Sequence, residues 1–289
     1  MTKVYFSKNI NSKEIVKLFN LLGVELKGNV AVKVHSGEPG NQNFLGPDLF
    51  RDIIERVNGT IVECNTAYDG GRNTSERHRE TLKKHGWSTN FKVDLLDGEG
   101  DDLVLDIPNG HVIKKNYVGH DTTKYDSVLV LSHFKGHPMG GYGGALKQLS
   151  IGFASSYGKA YIHGAGDPSK LWTADHDSFL EAMADAASSV VEHFKGQIVY
   201  INVMKNMSVD CDCCSVAEDP CMNDIGILAS TDPIAIDQAC LDLVYRSNDP
   251  GKNHLIKRIE SRHGVHTIET AANLGFGSRE YELVEVTND

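Results

Sequence analysis

The chain has 289 residues, of which 40% are hydrophobic and 24% charged, and it carries a formal net charge of −10 at pH 7. That length supports a sizeable core, in one large α/β unit or in two closely packed lobes, 1–120 and 121–289. The acidic balance excludes a nucleic-acid backbone as the main partner, and no apolar run approaches the roughly 18 residues of a membrane span. The amino terminus MTKVYFSKNINSKEIVKLF lacks the apolar core of a signal peptide, so the expected compartment is the cytoplasm and the six cysteines are not expected to form a disulfide framework.

In chain order, β-rich runs alternate with amphipathic helical stretches. Strand 3–7 precedes a helix over 12–22, strand 29–35 a helix over 47–57, and strand 60–64 a helix over 74–85. Asn11-Ser12 and Asn73-Thr74 supply N-caps, and Gly23 and Gly59 fall where helix C-terminal signals are expected. Residues 92–119 are irregular and read as short strands or hairpins. The rhythm resumes with strand 127–131, a helix near 144–154, a strand at 160–162, a helix over 174–194 and strand 197–203. Asp232 and Pro233 open a further helix, another covers 253–263, and strand 281–286 closes the chain. The expected fold is α/β, a mostly parallel sheet flanked by helices.

The segment SHFKGHPMGGYGGALKQLSIG, residues 132–152, follows the buried strand and has more glycine, histidine and lysine than a core needs. A glycine-rich loop between a strand and a helix lets backbone N–H groups approach an anion, so Gly140, Gly141, Gly143 and Gly144 are candidate ligand-binding residues. A tight structural turn is the alternative reading. The order of residues is neither a Walker loop nor a dinucleotide fingerprint. Lys147 is expected in the first turn of the following helix. His137, and His163 after the strand expected at 160–162, are candidates for proton transfer or ligation.

In a parallel sheet the loops after the second and third strands share an edge with this segment. Lys33, His35, Glu38, Asn65, Arg72, Arg77 and His78 are then expected around one cleft, with Arg72 and Arg77 as a bidentate clamp for a carboxylate or phosphate. Their alternative role is surface ion pairing with Glu76 and Glu80. Cys211, Cys213, Cys214 and Cys221 crowd the acidic stretch CDCCSVAEDPC. Four thiolates in one loop can wrap a zinc ion or an iron–sulfur cluster, a redox dithiol or unliganded cysteines being the alternatives. Cys64 reads as a buried small hydrophobe, a fifth thiol in the same crevice being the alternative, and Cys240 reads as core.

Val32-Lys-Val-His-Ser-Gly-Glu-Pro-Gly40, Val62-Glu-Cys-Asn-Thr-Ala-Tyr68, the 132–152 segment and Asp224-Ile-Gly-Ile-Leu-Ala-Ser-Thr-Asp-Pro233 resemble the bacterial and archaeal domain of unknown function 362 family. That resemblance implies association with ferredoxin-like iron–sulfur segments. The order His137, Lys147, His163 is also similar to nickel-pincer lactate racemases. It implies an acid/base histidine, a lysine tether for a nickel-pincer cofactor and a metal-ligating histidine, respectively. Gly143 stands where those racemases have serine, Ala145–Leu146 replaces their arginine neighbourhood, and their second acid/base histidine has no clear match, His78 and His120 being candidates.

Two functions follow. The first is a metal- or iron–sulfur-dependent enzyme of redox or isomerisation type that binds a small anionic molecule at the strand carboxyl ends; hydrolysis is disfavoured because no nucleophile–base pair stands out. The second is a non-catalytic iron–sulfur or zinc protein in electron transfer or assembly. Neither nucleic acid nor membrane is expected as a partner; a redox protein and a second copy of the chain are the protein partners considered.

Overall fold

A computed structural model describes residues 1–287. Its elements are β1 (Thr2–Ser7), α1 (Ser12–Leu21), β2 (Val30–Lys33), α2 (Pro47–Arg56), β3 (Thr60–Glu63), α3 (Ser75–Lys84), α4 (Trp87–Asn90), β4 (Val93–Leu95), β5 (Leu103–Asp106) and β6 (Lys115–Val118). They continue with β7 (Ser127–His133), β8 (Lys135–His137), β9 (Gly141–Gly143), α5 (Ala145–Phe153), α6 (Ser156–His163), α7 (His176–His193), β10 (Ile198–Met204), β11 (Gly226–Ser230), α8 (Pro233–Arg246), α9 (Lys252–Ser261), α10 (His266–Leu274) and β12 (Tyr281–Glu285).

One eight-stranded sheet carries the fold, in the order β12-β1-β11-β10-β7-β2-β3-β4. Only β11 runs against the others, pairing antiparallel with β1 and β10. The parallel pairing β10-β7-β2-β3-β4 matches the expected α/β class. Strand period two sorts the side chains: Val128 and Val130 join the core under α5, α7 and α8, while Leu129 and Leu131 join the core under α1 and α2. Both faces are covered, so β7 and β10 are buried along their whole length. Each such aliphatic residue contributes roughly 1.5–3 kcal/mol of burial free energy.

The helix starts follow capping chemistry. Asn11, Thr74 and Asp232 each accept a backbone N–H from the first turn of α1, α3 and α8, with Pro233 opening α8. Two local expectations fail. The left-handed residue after α2 is Asn58, at φ 48°, and not Gly59. A Cβ on Gly59 would lie 2.4 Å from a Val32 methyl, so packing against β2 is what that glycine serves. Residues 160–162 form no strand: the Ser155 side chain accepts the Gly158 N–H and starts α6, which makes His163 the last residue of a helix.

The strand order sets where loops can diverge. From β2 the chain moves to β3 and β4 on one side, whereas β7, on β2's other side, leads to β10. The loops after β2 and β7 therefore leave in opposite directions and open a crevice at the strand carboxyl ends. Among the described residues, no helix is long and apolar enough to cross a membrane.

Candidate functional site

A cavity of about 310 Å³ fills this crevice. Its walls come from the ends of β2 and β3 (Lys33, His35, Glu63, Cys64, Arg72), from the β8–β9 hairpin and α5 (Lys135, His137, Gly143, Gly144, Lys147), from α6 (Lys159, His163) and from the cysteine loop (Cys213, Cys214). The mouth carries Leu171 and Trp172, whose indole is 66% exposed and lies 6.4 Å from the Tyr68 ring.

On the β2/β3 side the charges are paired before any ligand arrives. Lys33 Nζ meets Glu63 Oε2 at 2.7 Å, and Arg72 Nε donates to Glu38 Oε2 at 2.8 Å. All four side chains are buried. Glu63 also accepts the Ser36 N–H at 2.7 Å. Although burial alone would raise its pKa, the Lys33 ammonium and nearby cationic groups drive it far below the ordinary carboxylate range. Behind this wall the Asn65 side chain bonds Ser75 Oγ and faces His78 Nδ1 at 3.2 Å, so Asn65 supports the cleft without lining it. Arg77 is exposed and bonded to Asn73, so no Arg72–Arg77 clamp forms, nor the pairing with Glu76 and Glu80.

The glycine-rich segment is a β8–β9 hairpin followed by α5. Its backbone donors are spent internally. Gly140 N donates to His137 Nδ1 at 2.8 Å, and the first N–H groups of α5, from Ala145 and Leu146, donate to the buried Asp237 carboxylate at 2.8 and 3.0 Å. Asp237 thus occupies the place at this helix N-terminus where a ligand anion was expected. A Cβ on Gly144 would lie 2.4 Å from Asp237 Oδ1, and one on Gly141, at φ 78°, would lie 2.8 Å from Gly264 Cα. Gly143 and Gly144 face the cavity; Gly140 and Gly141 serve the hairpin.

Lys147 emerges in the first turn of α5, as expected, and reaches the cavity partly buried. Its charge acts on His137, His163, Cys211 and Cys213. Among the described residues its ammonium has no ion pair and no hydrogen bond, whereas Lys135 Nζ is held by the buried Asp212 at 2.9 Å. Asp212 also faces His133 Nδ1 at 3.0 Å, while His133 Nε2 lies 2.6 Å from the Lys205 carbonyl.

The cavity histidines differ in tautomer. His137 Nδ1 accepts backbone N–H groups from Met139 and Gly140, and His35 Nδ1 accepts that of Gly37. A ring nitrogen that accepts carries no hydrogen, so these neutral rings hold theirs on Nε2. His137 Nε2 then points at Cys213 Sγ, 3.9 Å away, giving a thiol–imidazole pair that the sequence did not reveal. His163 is the reverse. Its Nδ1–H donates to the Lys159 carbonyl at 2.8 Å, leaving a bare Nε2, and its ring stacks on Phe179 at 4.8 Å. Burial, with the Lys147 charge, lowers His137 to about 4, and burial with the Lys147 and Lys159 charges lowers His163 to about 4 despite its carbonyl bond. Neither His78, which lies behind the wall, nor the exposed His120 lines the cavity.

The cysteine loop does not gather four thiols. His137, Cys211 and Cys213 bring one donor atom each within 4.8 Å of one another, a spacing that could hold one metal ion. Cys221 lies outside this group, its Sγ donating to the Met207 carbonyl, so a cluster on all four cysteines does not fit this arrangement. Ligation through His137 Nε2 would also require the two N–H groups at Nδ1 to turn away, since a metal-bound imidazole normally donates from its other nitrogen. Burial and Cys213 push the Cys211 thiol up, but the Lys147 and Lys135 charges outweigh them and its pKa is lowered. Cys64, at the end of β3, is buried, with its Sγ donating to the Phe153 carbonyl and its pKa raised by burial; Cys240 is buried in α8.

Comparison with known proteins places these features in context. Two solved structures similar to this chain are a lactate racemase apoprotein from Thermoanaerobacterium thermosaccharolyticum (16% identity, TM-score 0.41, 69% of this chain and 50% of that one) and a protein from Thermotoga maritima (14% identity, TM-score 0.44, 91% of this chain and 58% of that one). The chain therefore spans about half the length of the first and less than three-fifths of the second. No curated protein matches it. Residues 30–242, which include the whole lining of the cavity, match the family described as Domain of unknown function (DUF362), and the chain belongs to that family.

Proposed function

We propose that the cavity binds a small organic anion and that the protein is an enzyme acting on it by proton transfer, a reaction of isomerisation type. One observation carries this reading: Lys147 is a cation in a cavity, without a partner among the described residues, whereas Lys33, Arg72 and Lys135 beside it are each matched to a buried carboxylate. Taking a charge out of water without a counter-ion is costly, so its retention points to a ligand that supplies one. The cavity volume lies at the small end of the range for ligand pockets. His163 has the right form for a base, because the Lys159 carbonyl fixes its tautomer and leaves Nε2 bare. His137, with Nε2–H, is the complementary donor.

Trp172 at the mouth gives a direct readout. Small carboxylates and phosphate esters titrated into the protein should quench or shift its fluorescence, and Lys147→Ala should weaken that binding by about 10- to 100-fold, the worth of a charge-assisted hydrogen bond. Unchanged binding in Lys147→Ala would defeat the reading. His137, Lys147 and His163, the residues singled out by the racemase resemblance, all reach the cavity, so a tethered cofactor belongs among the occupants assayed.

A metal-dependent version rests on the spacing of His137, Cys211 and Cys213. Those three residues would hold the ion, which would supply Lewis-acid or redox chemistry at the cavity edge. Zinc or ferrous ion should then protect Cys211 and Cys213 from alkylation, and Cys213→Ser should abolish the protection. Equal alkylation with and without metal removes this version and leaves the anion site standing.

A further inference from the structure

The cavity holds a second amine with no ion pair among the described residues. Of its four lysines, Lys33 and Lys135 are ion-paired to Glu63 and Asp212, and Lys147 is partly open to solvent. Lys159 is 7% exposed, and the hydrogen bond its Nζ makes is donated to the carbonyl of Ala154, the C-cap residue of α5. It stands one helical turn before His163 in α6, whose tautomer its own carbonyl fixes. Lys147, Lys159 and His163 all line the cavity.

We propose that Lys159 is a nucleophilic amine that condenses with the carbonyl carbon of a small 2-oxo acid whose carboxylate lies on Lys147. This inference rests on the anion-binding reading and names its ligand class. The Nζ lone pair forms a C–N bond as the C=O π pair moves to oxygen, which takes up a proton; nitrogen loses one, and the carbinolamine expels water. The balance is amine plus carbonyl giving imine plus water, with no oxidant or reductant, and hydrolysis restores both partners. His163, whose Nε2 is left bare, takes the proton from nitrogen and returns it to the departing oxygen. Burial, reinforced by the nearby Lys33 charge, lowers the Lys159 pKa, which increases the share of free amine.

A capping role for Lys159 at the end of α5 would use the same hydrogen bond, so the test reads covalent chemistry. The whole protein is incubated with glyoxylate and cyanoborohydride, which reduces the imine to a stable carboxymethyl amine, and lysine-containing peptides are mapped by mass spectrometry. Lys159 should be modified ahead of the exposed lysines, and Lys147→Ala should slow its labelling by about tenfold while leaving labelling by the uncharged aldehyde propanal unchanged. Lys159 remaining unmodified by both aldehydes, at concentrations that already alkylate surface lysines, overturns the inference and leaves anion binding intact. Labelling by propanal alone would retain the reactive amine but overturn the assignment of an oxo acid, and with it the anion site.

Discussion

The two walls of the cavity solve the same problem in opposite ways. On the β2/β3 wall, Lys33 and Arg72 are buried against Glu63 and Glu38, so that wall is complete without a ligand. On the α5/α6 wall, Lys147 and Lys159 have no ion pair among the described residues, and His163 keeps a bare nitrogen. The difference separates a wall built for stability from one whose charge is left for something else to balance. Functional groups commonly carry such a stability cost.

The largest expected effect comes from unbalancing the finished wall. Glu63→Gln strands the Lys33 ammonium in the interior and should destabilise the protein by about 3–5 kcal/mol in urea unfolding, as breaking a buried pair usually does. A loss below about 1 kcal/mol would mean that the pair is not what holds this wall.

Acid should do comparable damage through the buried histidines. Burial and the Arg72 charge lower fully buried His78 to about 3 and His35 to about 4, against 6.5 for an unperturbed ring. The unfolded chain binds protons there before the folded one does. Stability is therefore complete above about pH 6.5 and falls as pH drops toward 4, by on the order of 2 kcal/mol per histidine at about pH 5. Unfolding midpoints that stay flat between about pH 7 and 5 would contradict this.

Gly144→Ala tests the junction between the hairpin and α5. Its new methyl meets the Asp237 carboxylate, and a cost of about 1–3 kcal/mol is expected. Lys147→Met, on the unbalanced wall, should change stability by less than about 1 kcal/mol or raise it, because no partner is stranded. A loss as large as that of Glu63→Gln would erase the contrast between the walls.

Much of the scaffold could be read from residue patterns. The strand–helix alternation, the caps Asn11, Thr74 and Asp232, and the buried run into His133 leave local signatures that the structure retains. The order of strands leaves none, since β11 reverses through long-range pairing with β1 and β10. At the site, His35, Arg72, His137, Lys147 and His163 stood beside glycines at expected strand or helix ends and do line one cavity. The distant residues that hold the elements around them were invisible. Asp237 and Asp212 arrive from elements far along the chain, as does the pairing of Cys213 with His137. Lys159 was hidden because Ala160–Ile162 read as a strand, whereas the Ser155 cap makes the whole segment helical.

Lys147 decides whether the cavity takes an anion, and one titration tests this most directly. Small carboxylates followed by Trp172 fluorescence in the native protein, in Lys147→Ala and in Lys147→Arg should give saturable binding in the first, a loss of about 10- to 100-fold in the second and partial recovery in the third. Equal affinity in all three would contradict it.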